Sequence, residues 1–367
     1  MNDSNPQTCD LTRDGLYCIL PPYVLEQIRR RGTEQQRELA TAALARDTSL
    51  RDQRAATPAI PSVPSGPLGL TPEKSRAIHG TRHTHHLPGR LVRDEGDGPT
   101  GDADVDRVYD GFGATWDLYF DVFGRNSYDD AGAALVGTVH YGVGYDNAFW
   151  NGTQMVFGDG DGSLFVSFTS AIDIIGHELT HAVTSFESDL AYSDQSGALN
   201  ESLSDVFGSL VKQRDAGQTA DQADWLIGAG IFGPDVTGVA LRSMSAPGTA
   251  YDDDLLGKDP QPAHMDSYVD TDSDNGGVHI NSGIPNHAFY RFAVALGGYA
   301  WETAGHVWYA AATDDSMTPT SDFQAFADLT ADRAQVLFGA EVAQSCAEAW
   351  AGVGITVTAP LADESGV

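Results

Sequence analysis

A chain of 367 residues with 21 Lys+Arg against 52 Asp+Glu carries a formal net charge of -31, which opposes binding to polyanionic nucleic acid. Its 41% hydrophobic residues can supply cores for two or three domains, while Cys9, Cys18 and Cys346 are too few for a disulfide-built scaffold. No apolar run of about 18 residues suits a membrane span, and Tyr17 to Pro22 (YCILPP) is too short and too broken by proline to be the apolar stretch of a signal peptide.

In chain order, Pro21 to Leu25 reads as a turn, and Glu26 to Arg46 as helix-prone, together a small helical module. Ala55 to Thr71 is rich in proline and small residues and reads as an exposed, cleavable linker. Residues 1–100 carry 13 basic and 12 acidic side chains and residues 101–367 carry 8 and 40, so the acidity belongs to the second part of the chain. Between Leu87 and Ser167, β-prone runs (Leu135 to Tyr141, Gln154 to Phe157) alternate with Gly and Asp turns, the pattern of a twisted antiparallel sheet. From Ala171 the apolar spacing becomes helical, over 171–187, 198–214, 286–296, 301–312, 321–338 and 340–352. The tail from Thr358 to Val367 has no core-forming pattern. The expected class is α+β. Its parts are a propeptide-like module and linker over 1–64, a β-rich domain over 65–185, a helical domain over 186–356 and a disordered tail over 357–367.

The first of these helices contains His177-Glu178-Leu179-Thr180-His181. Histidines four apart lie about 40° apart around a helix, so both imidazoles can reach one metal while Glu178 stands beside the open position. The plainer alternative for the pair taken alone is two partly buried structural histidines. Twenty residues after His181, Glu201 and Asp205 share a helix face. His177, His181 and Glu201 meet the three-ligand count of a catalytic zinc, and Asp205 can accept the other ring N–H of His177. The alternative for these two carboxylates is a solvated helix face. In Asp274 to Gly283 (DNGGVHINSG) the glycines permit close backbone approach, His279 can donate to a developing oxyanion, and Asp274 can orient it.

These motifs, with Asn147 to Gly152, Gln154 to Gly162, Ser196 to Asp205 and Leu241 to Ser245, resemble the thermolysin family of zinc neutral metalloproteases over about residues 87–356. Pro21 to Leu25 is similar to the short propeptide of the protealysin-like branch. The resemblance implies a two-domain fold with the zinc helix between a β-rich and a helical domain. It implies a metalloendopeptidase made as a zymogen, with Glu178 as general base, Tyr192 and His279 stabilising the oxyanion, and Asp274 holding His279. Arg242 would bind a substrate carbonyl, and Asn147 and Ala148 would pair with substrate backbone. Phe165, Phe168, Ile174, Ile227 and Leu241 would line an apolar pocket, made shallower by Phe168, for Leu, Phe or Ile just after the scissile bond.

Calcium is doubtful, since among the expected ligands of the paired site only Asp173 and Asp224 remain. Lys212, Leu226, Ala229 and Gly230 replace acidic positions there, and Val239 replaces an Asp at another site. Lys212 is expected to pair with Asp173 or Asp224. Asp159, Asp161 and Asp252 to Asp254 could still hold calcium weakly, although a solvated loop is the plainer reading of the last three. Cys18 could offer a thiolate to the zinc. Alternatively it is a small apolar contact, with Tyr23 or Leu25 blocking the cleft. His83, His85 and His86 read as a surface histidine patch. The expected partners are protein or peptide substrates and the chain's own propeptide as intramolecular inhibitor, with no nucleic acid and no membrane, in a monomer. Family habit places the enzyme outside the cell, the alternative being cytoplasmic. The competing function is a non-catalytic zinc-containing binding or adhesion protein, which would have no need of Glu178, Tyr192 and His279.

Overall fold

The computed structural model describes residues 17–55 and 73–358, and in the first of these stretches two helices follow a two-residue strand. Helix α1 (Pro22–Arg31) begins on a proline, whose missing N–H is not needed in a first turn, and buries Val24, Leu25 and Ile28. Helix α2 (Glu34–Ala55) follows a reciprocal cap in which Thr33 N–H donates to Gln36 Oε1 at 2.8 Å and Gln36 N–H to Thr33 Oγ1 at 3.4 Å. The linker expected over 55–71 falls, save its first residue, outside the described residues, as does the tail beyond Thr358.

A six-stranded sheet comes next. Its strands are β1 (Tyr17–Cys18), β2 (Arg76–Gly80), β3 (Arg90–Asp94), β4 (Leu135–Val139), β5 (Ala148–Trp150) and β6 (Met155–Phe157), in the order β1-β5-β6-β4-β2-β3. The expected antiparallel sheet is corrected here: β2/β4 and β4/β6 are parallel pairs, and the sheet is mixed. Alternation along a strand reports its faces and not its direction. The long connection from β2 to β4 carries helix α3 (Ala103–Asp117), which permits a parallel return. Helix α3 was not expected from the sequence. Asp102 caps it by accepting the amides of Asp104 and Val105, and Val105, Val108, Phe112 and Trp116 form its buried stripe.

Helix α4 (Ile172–Phe186) crosses α5 (Asp194–Ala216) at glycines. A Cβ on Gly208 would stand 2.4 Å from Asp173 O, so this crossing requires glycine. The helical half continues through α6 (Asp274–Asn281), α7 (Gly283–Leu296), α8 (Ala304–Ala312), α9 (Phe323–Phe338) and α10 (Ala340–Ala351). Its core centres on Trp308 and Trp350, whose rings lie parallel with centroids 5.8 Å apart. Two short ribbons, β7 (Leu226–Ile227) with β8 (Arg242–Ser243) and β9 (Asp252–Asp253) with β10 (Gly257–Lys258), fill the span before α6. Among the described residues no helix is long and apolar enough to cross a membrane.

Candidate metal centre and substrate cleft

Because α4 and α5 pack so closely, the imidazoles of His177 and His181 meet Glu201 in a fully buried triangle. The two Nε2 atoms are 3.0 Å apart, and each lies 3.5 Å from a Glu201 oxygen. Those spacings match the roughly 3.3 Å edge of a tetrahedron with metal bonds of about 2.0–2.1 Å. Glu201 Oε2 is buried with no hydrogen-bond partner among the described residues, as a ligand oxygen awaiting a cation would be. The donor set therefore fits zinc.

The residues behind the triangle fix its orientation. His177 Nδ1–H donates to Asp205 Oδ1 at 2.9 Å, and His181 Nδ1 lies 2.8 Å from Asn200 Oδ1 and 2.9 Å from Ser204 Oγ. With Nδ1 so engaged, both Nε2 lone pairs turn toward the site. Asp205 also accepts from Arg242 Nε at 2.8 Å and Nη2 at 2.7 Å, and from Asn286 Nδ2 at 2.8 Å. Burial opposes its charge, but Arg242 and His177 outweigh burial and hold the carboxyl well below the usual range. Sequence reasoning missed Asn200, Ser204 and Asn286. Asn200 and Ser204, four apart on a buried helix, were a usable signal; Asn286 gave none.

Glu178 lies beside the triangle with both carboxylate oxygens buried and without a hydrogen-bond partner among the described residues. Burial, then the charge of Glu201, push its pKa well above the ordinary value, against the pull of the Ile19 and Trp150 amides and of Arg242. On the opposite wall Tyr192 O–H donates to Glu201 Oε1 and lies 3.2 Å from His279 Nε2. Asp274 holds His279 by both ends, accepting Nδ1–H at 2.6 Å and the backbone N–H at 2.9 Å. This doubling back needs left-handed backbone at Asn275, Gly276 and Gly277, and a Cβ on Gly276 would stand 2.3 Å from Asp194 Oδ1. Burial alone would lower the pKa of His279, but Asp274 and Glu201 hold it well above its ordinary value.

The cleft is filled by the chain's own N-terminal segment. Strand β1 adds antiparallel to β5, pairing Tyr17 with Trp150 and Cys18 with Phe149. Beyond it, Ile19 N–H donates to Ala148 O at 3.1 Å and Leu20 N–H to Asn147 Oδ1 at 3.0 Å. Arg242 Nη1 donates to Ile19 O at 3.0 Å, and His279 Nε2 lies 2.8 Å from Cys18 O. The Tyr17 ring stacks on His181 at 4.8 Å. From α2, Asp47 accepts Asn147 Nδ2 at 3.3 Å and Tyr145 O–H at 2.6 Å. Cys18 presents its carbonyl to His279, and its sulfur lies 3.7 Å from Leu20 O. Residues 17–20 fill the cleft ahead of Tyr23 and Leu25.

Phe165, Phe168, Ile174, Ile227 and Leu241 are all buried. The Phe165 and Phe168 centroids are 5.7 Å apart, and Leu241, whose N–H donates to Ile227 O at 3.0 Å, immediately precedes Arg242. Lys212 Nζ pairs with both carboxylates considered for it, Asp173 at 3.2 Å and Asp224 at 2.9 Å, and donates to Leu226 O at 3.0 Å. Three carboxylates of the acidic turns meet protein donors. Asp161 Oδ1 accepts three amides, Asp253 accepts those of Thr237, Leu255 and Leu256, and Asp159 meets His140 Nδ1 at 3.0 Å. His83, His85 and His86 are all exposed, as expected of a surface patch; His83 Nδ1 lies 3.3 Å from Asp159 Oδ2, and His85 sets its ring against Tyr141.

A mixed sheet, a helical half and a buried two-histidine, one-carboxylate triangle beside an unpartnered glutamate define a metallopeptidase of the thermolysin class. The family models agree. Residues 73–185 match the thermolysin metallopeptidase catalytic domain and residues 188–355 its alpha-helical domain, and the chain belongs to this family of metalloendopeptidases. It is 51% identical over 340 residues to an extracellular metalloprotease of Pectobacterium carotovorum subsp. carotovorum, covering 92% of this chain and 96% of that protein. It is 46% identical to Protease PrtS of Photorhabdus sp. (strain Az29), covering 92% of each. Among solved structures it is similar to the precursor of protealysin, a metalloproteinase from Serratia proteamaculans. That match has a TM-score of 0.84 and 50% identity and covers 92% of this chain and 99% of that one.

Proposed function

We propose that the chain is a zinc-dependent endopeptidase made as a zymogen, held silent by residues 1–64 and acting outside the cell on the amino side of bulky apolar residues. Zinc, when held by His177, His181 and Glu201, supplies Lewis-acid polarisation and eases deprotonation of water. The chain's own groups do the rest. Glu178 takes a proton from the attacking water and delivers it to the departing amine. Tyr192 and His279 donate to the carbonyl oxygen as negative charge develops there, and Asp274 keeps His279 aimed. Arg242, Asn147 and Ala148 grip the substrate backbone. Phe165, Phe168, Ile174, Ile227 and Leu241 receive the side chain that follows the scissile bond, where each buried Å² of apolar surface contributes about 25 cal/mol.

The observation that carries this reading is the buried Glu178 carboxylate, unpartnered beside the triangle. A purely structural or adhesive zinc site has no use for such a group. The extracellular setting is supported by the names of two relatives, the extracellular metalloprotease of Pectobacterium carotovorum and the extracellular minor metalloprotease of Serratia marcescens. We further infer that the Lys212 ammonium stands in for calcium between Asp173 and Asp224.

Casein hydrolysis and time-resolved mass spectrometry on full-length protein, beside Glu178→Ala and with zinc chelated, test the reading. Self-trimming with gain of zinc-dependent activity in wild type alone is expected. Equal activity in the variant would overturn the role of Glu178, and a peptide-library preference for a charged residue after the cut would overturn the pocket.

A further inference from the structure

We propose that the Cys18–Ile19 peptide bond is itself a substrate of this site, so that the segment closing the cleft is cut by the groups it covers. The proposal rests on the endopeptidase reading above and goes beyond it by naming the bond. Four main-chain contacts set the register: Ile19 N–H on Ala148 O, Ile19 O on Arg242, Leu20 N–H on Asn147, and Cys18 O on His279 Nε2. The oxyanion donor therefore meets the Cys18 carbonyl, the backbone grip holds the residue after it, and the Ile19 amide lies near the Glu178 carboxylate. A segment shifted by one residue would put a carbonyl and an amide in the wrong order for this machinery. Ile19 and Cys18 are both fully buried, and an apolar Ile19 suits the pocket assigned to the position after the cut.

Hydrolysis balances without any further reactant than water. The water oxygen bonds to the Cys18 carbonyl carbon, the C–N bond breaks, and Glu178 passes a water proton to the Ile19 nitrogen. One fragment ends in a Cys18 carboxylate and the other begins with an Ile19 amine. The second fragment stays in place, because α1 and α2 keep it docked: Arg46 Nε donates to Tyr141 O–H at 2.7 Å and Asp47 holds Tyr145 and Asn147. Cutting here detaches β1 from β5 without expelling the helices. The latch and the linker over 55–71 are thus opened by two separate cuts.

The test samples zinc-loaded full-length protein over time by intact-mass spectrometry and N-terminal sequencing, beside Glu178→Gln and Ile19→Asp. Wild type is expected to yield a fragment ending at Cys18 and a chain beginning at Ile19, at a rate independent of protein concentration. Glu178→Gln yields neither, and Ile19→Asp slows this cut by about 100-fold or more, because an ionised carboxylate must enter an apolar site. Hydrogen exchange on metal-free full-length protein reads the register without catalysis: the Ile19 and Leu20 amides are protected in wild type and exchange freely in Ile19→Asp. Wild type that hydrolyses casein but never gives an Ile19 terminus overturns this proposal alone. Protein that, with zinc bound and the linker opened by trypsin, cuts neither casein nor itself overturns the endopeptidase reading and this proposal with it.

Discussion

Helices α4 and α5 carry two clusters of buried negative charge, and the two are neutralised differently. Near the middle of the pair, His177, His181 and Glu201 bring three ligand atoms together around one point. One turn earlier on α4 and further along α5, Asp173 meets the ammonium of Lys212, which also reaches Asp224. A side-chain cation arrives with folding and fills its place. An ion leaves a coordination position over, and only that arrangement can do chemistry. A third cluster, near the start of α3, uses a proton. His140 lies between Asp102 at 2.9 Å and Asp159 at 3.0 Å, with both ring nitrogens engaged. Although its atoms, with Asp104, have metal-like spacing, an imidazolium satisfies both carboxylates directly.

The sharpest test of this contrast is Glu178→Gln, expected to lower kcat by about 10²–10⁴-fold with zinc content unchanged by atomic absorption. Lost zinc would make Glu178 a structural group. Next, Lys212→Ala strands the buried Asp173 and should cost about 3–5 kcal/mol in urea unfolding, whereas EDTA on wild type abolishes hydrolysis with far less effect on unfolding. If wild type, supplied with zinc, still needs calcium to fold, the lysine is not the substitute. Asp205→Asn should weaken zinc about 10–100-fold in chelator competition, and unchanged affinity would detach Arg242 and Asp205 from the metal's support.

The smallest effect belongs to His140. Asp159 and Asp102 raise its pKa from 6.5 to about 9 against the lowering effect of burial. Its contribution is therefore complete below 6.5 and fades as pH rises through about 9. The group is partly exposed, so about 1 kcal/mol is the ceiling. Melting curves of His140→Gln should fall below wild type at pH 6 and coincide with it at pH 10. An equal gap at both pH values would mean packing and not charge.

Much of the catalytic constellation was legible because helical spacing is rigid: the positions of His177, His181, Glu201 and Asp205 determine which side chains share a face. Tyr192 was legible only through family resemblance, whereas His279 and Asp274 could be read from the glycine-rich segment that carries them, although the left-handed turn that aims His279 has no periodicity to read. Asn286 reaches Asp205 from a different helix, a contact no local pattern encodes. Helix α3 carried its own signal in Asp102 and the Val105-Val108-Phe112-Trp116 stripe, hidden among β-prone neighbours. Parallel pairing of β4 with β2 and β6 depends on connections across the fold, which strand composition does not record. The register of Cys18 to Leu20 depends on atoms from Ala148, Asn147, Arg242 and His279, four residues at three places far apart in the chain.

Strand β5 spans only Ala148–Trp150, and its partner on one side is β1, a segment that has to leave in the proposed zymogen. Whatever replaces that segment has to arrive as bare extended chain, because main-chain donors and acceptors already spent on a helix or a native sheet cannot dock. Cleavage is thus coupled to the client's own conformational stability. A well-folded protein offers such a stretch only in rare local openings, whereas a denatured or damaged one offers it continually. Under the proposed function, the enzyme would sort its clients by how loosely they are held together before any side chain is inspected.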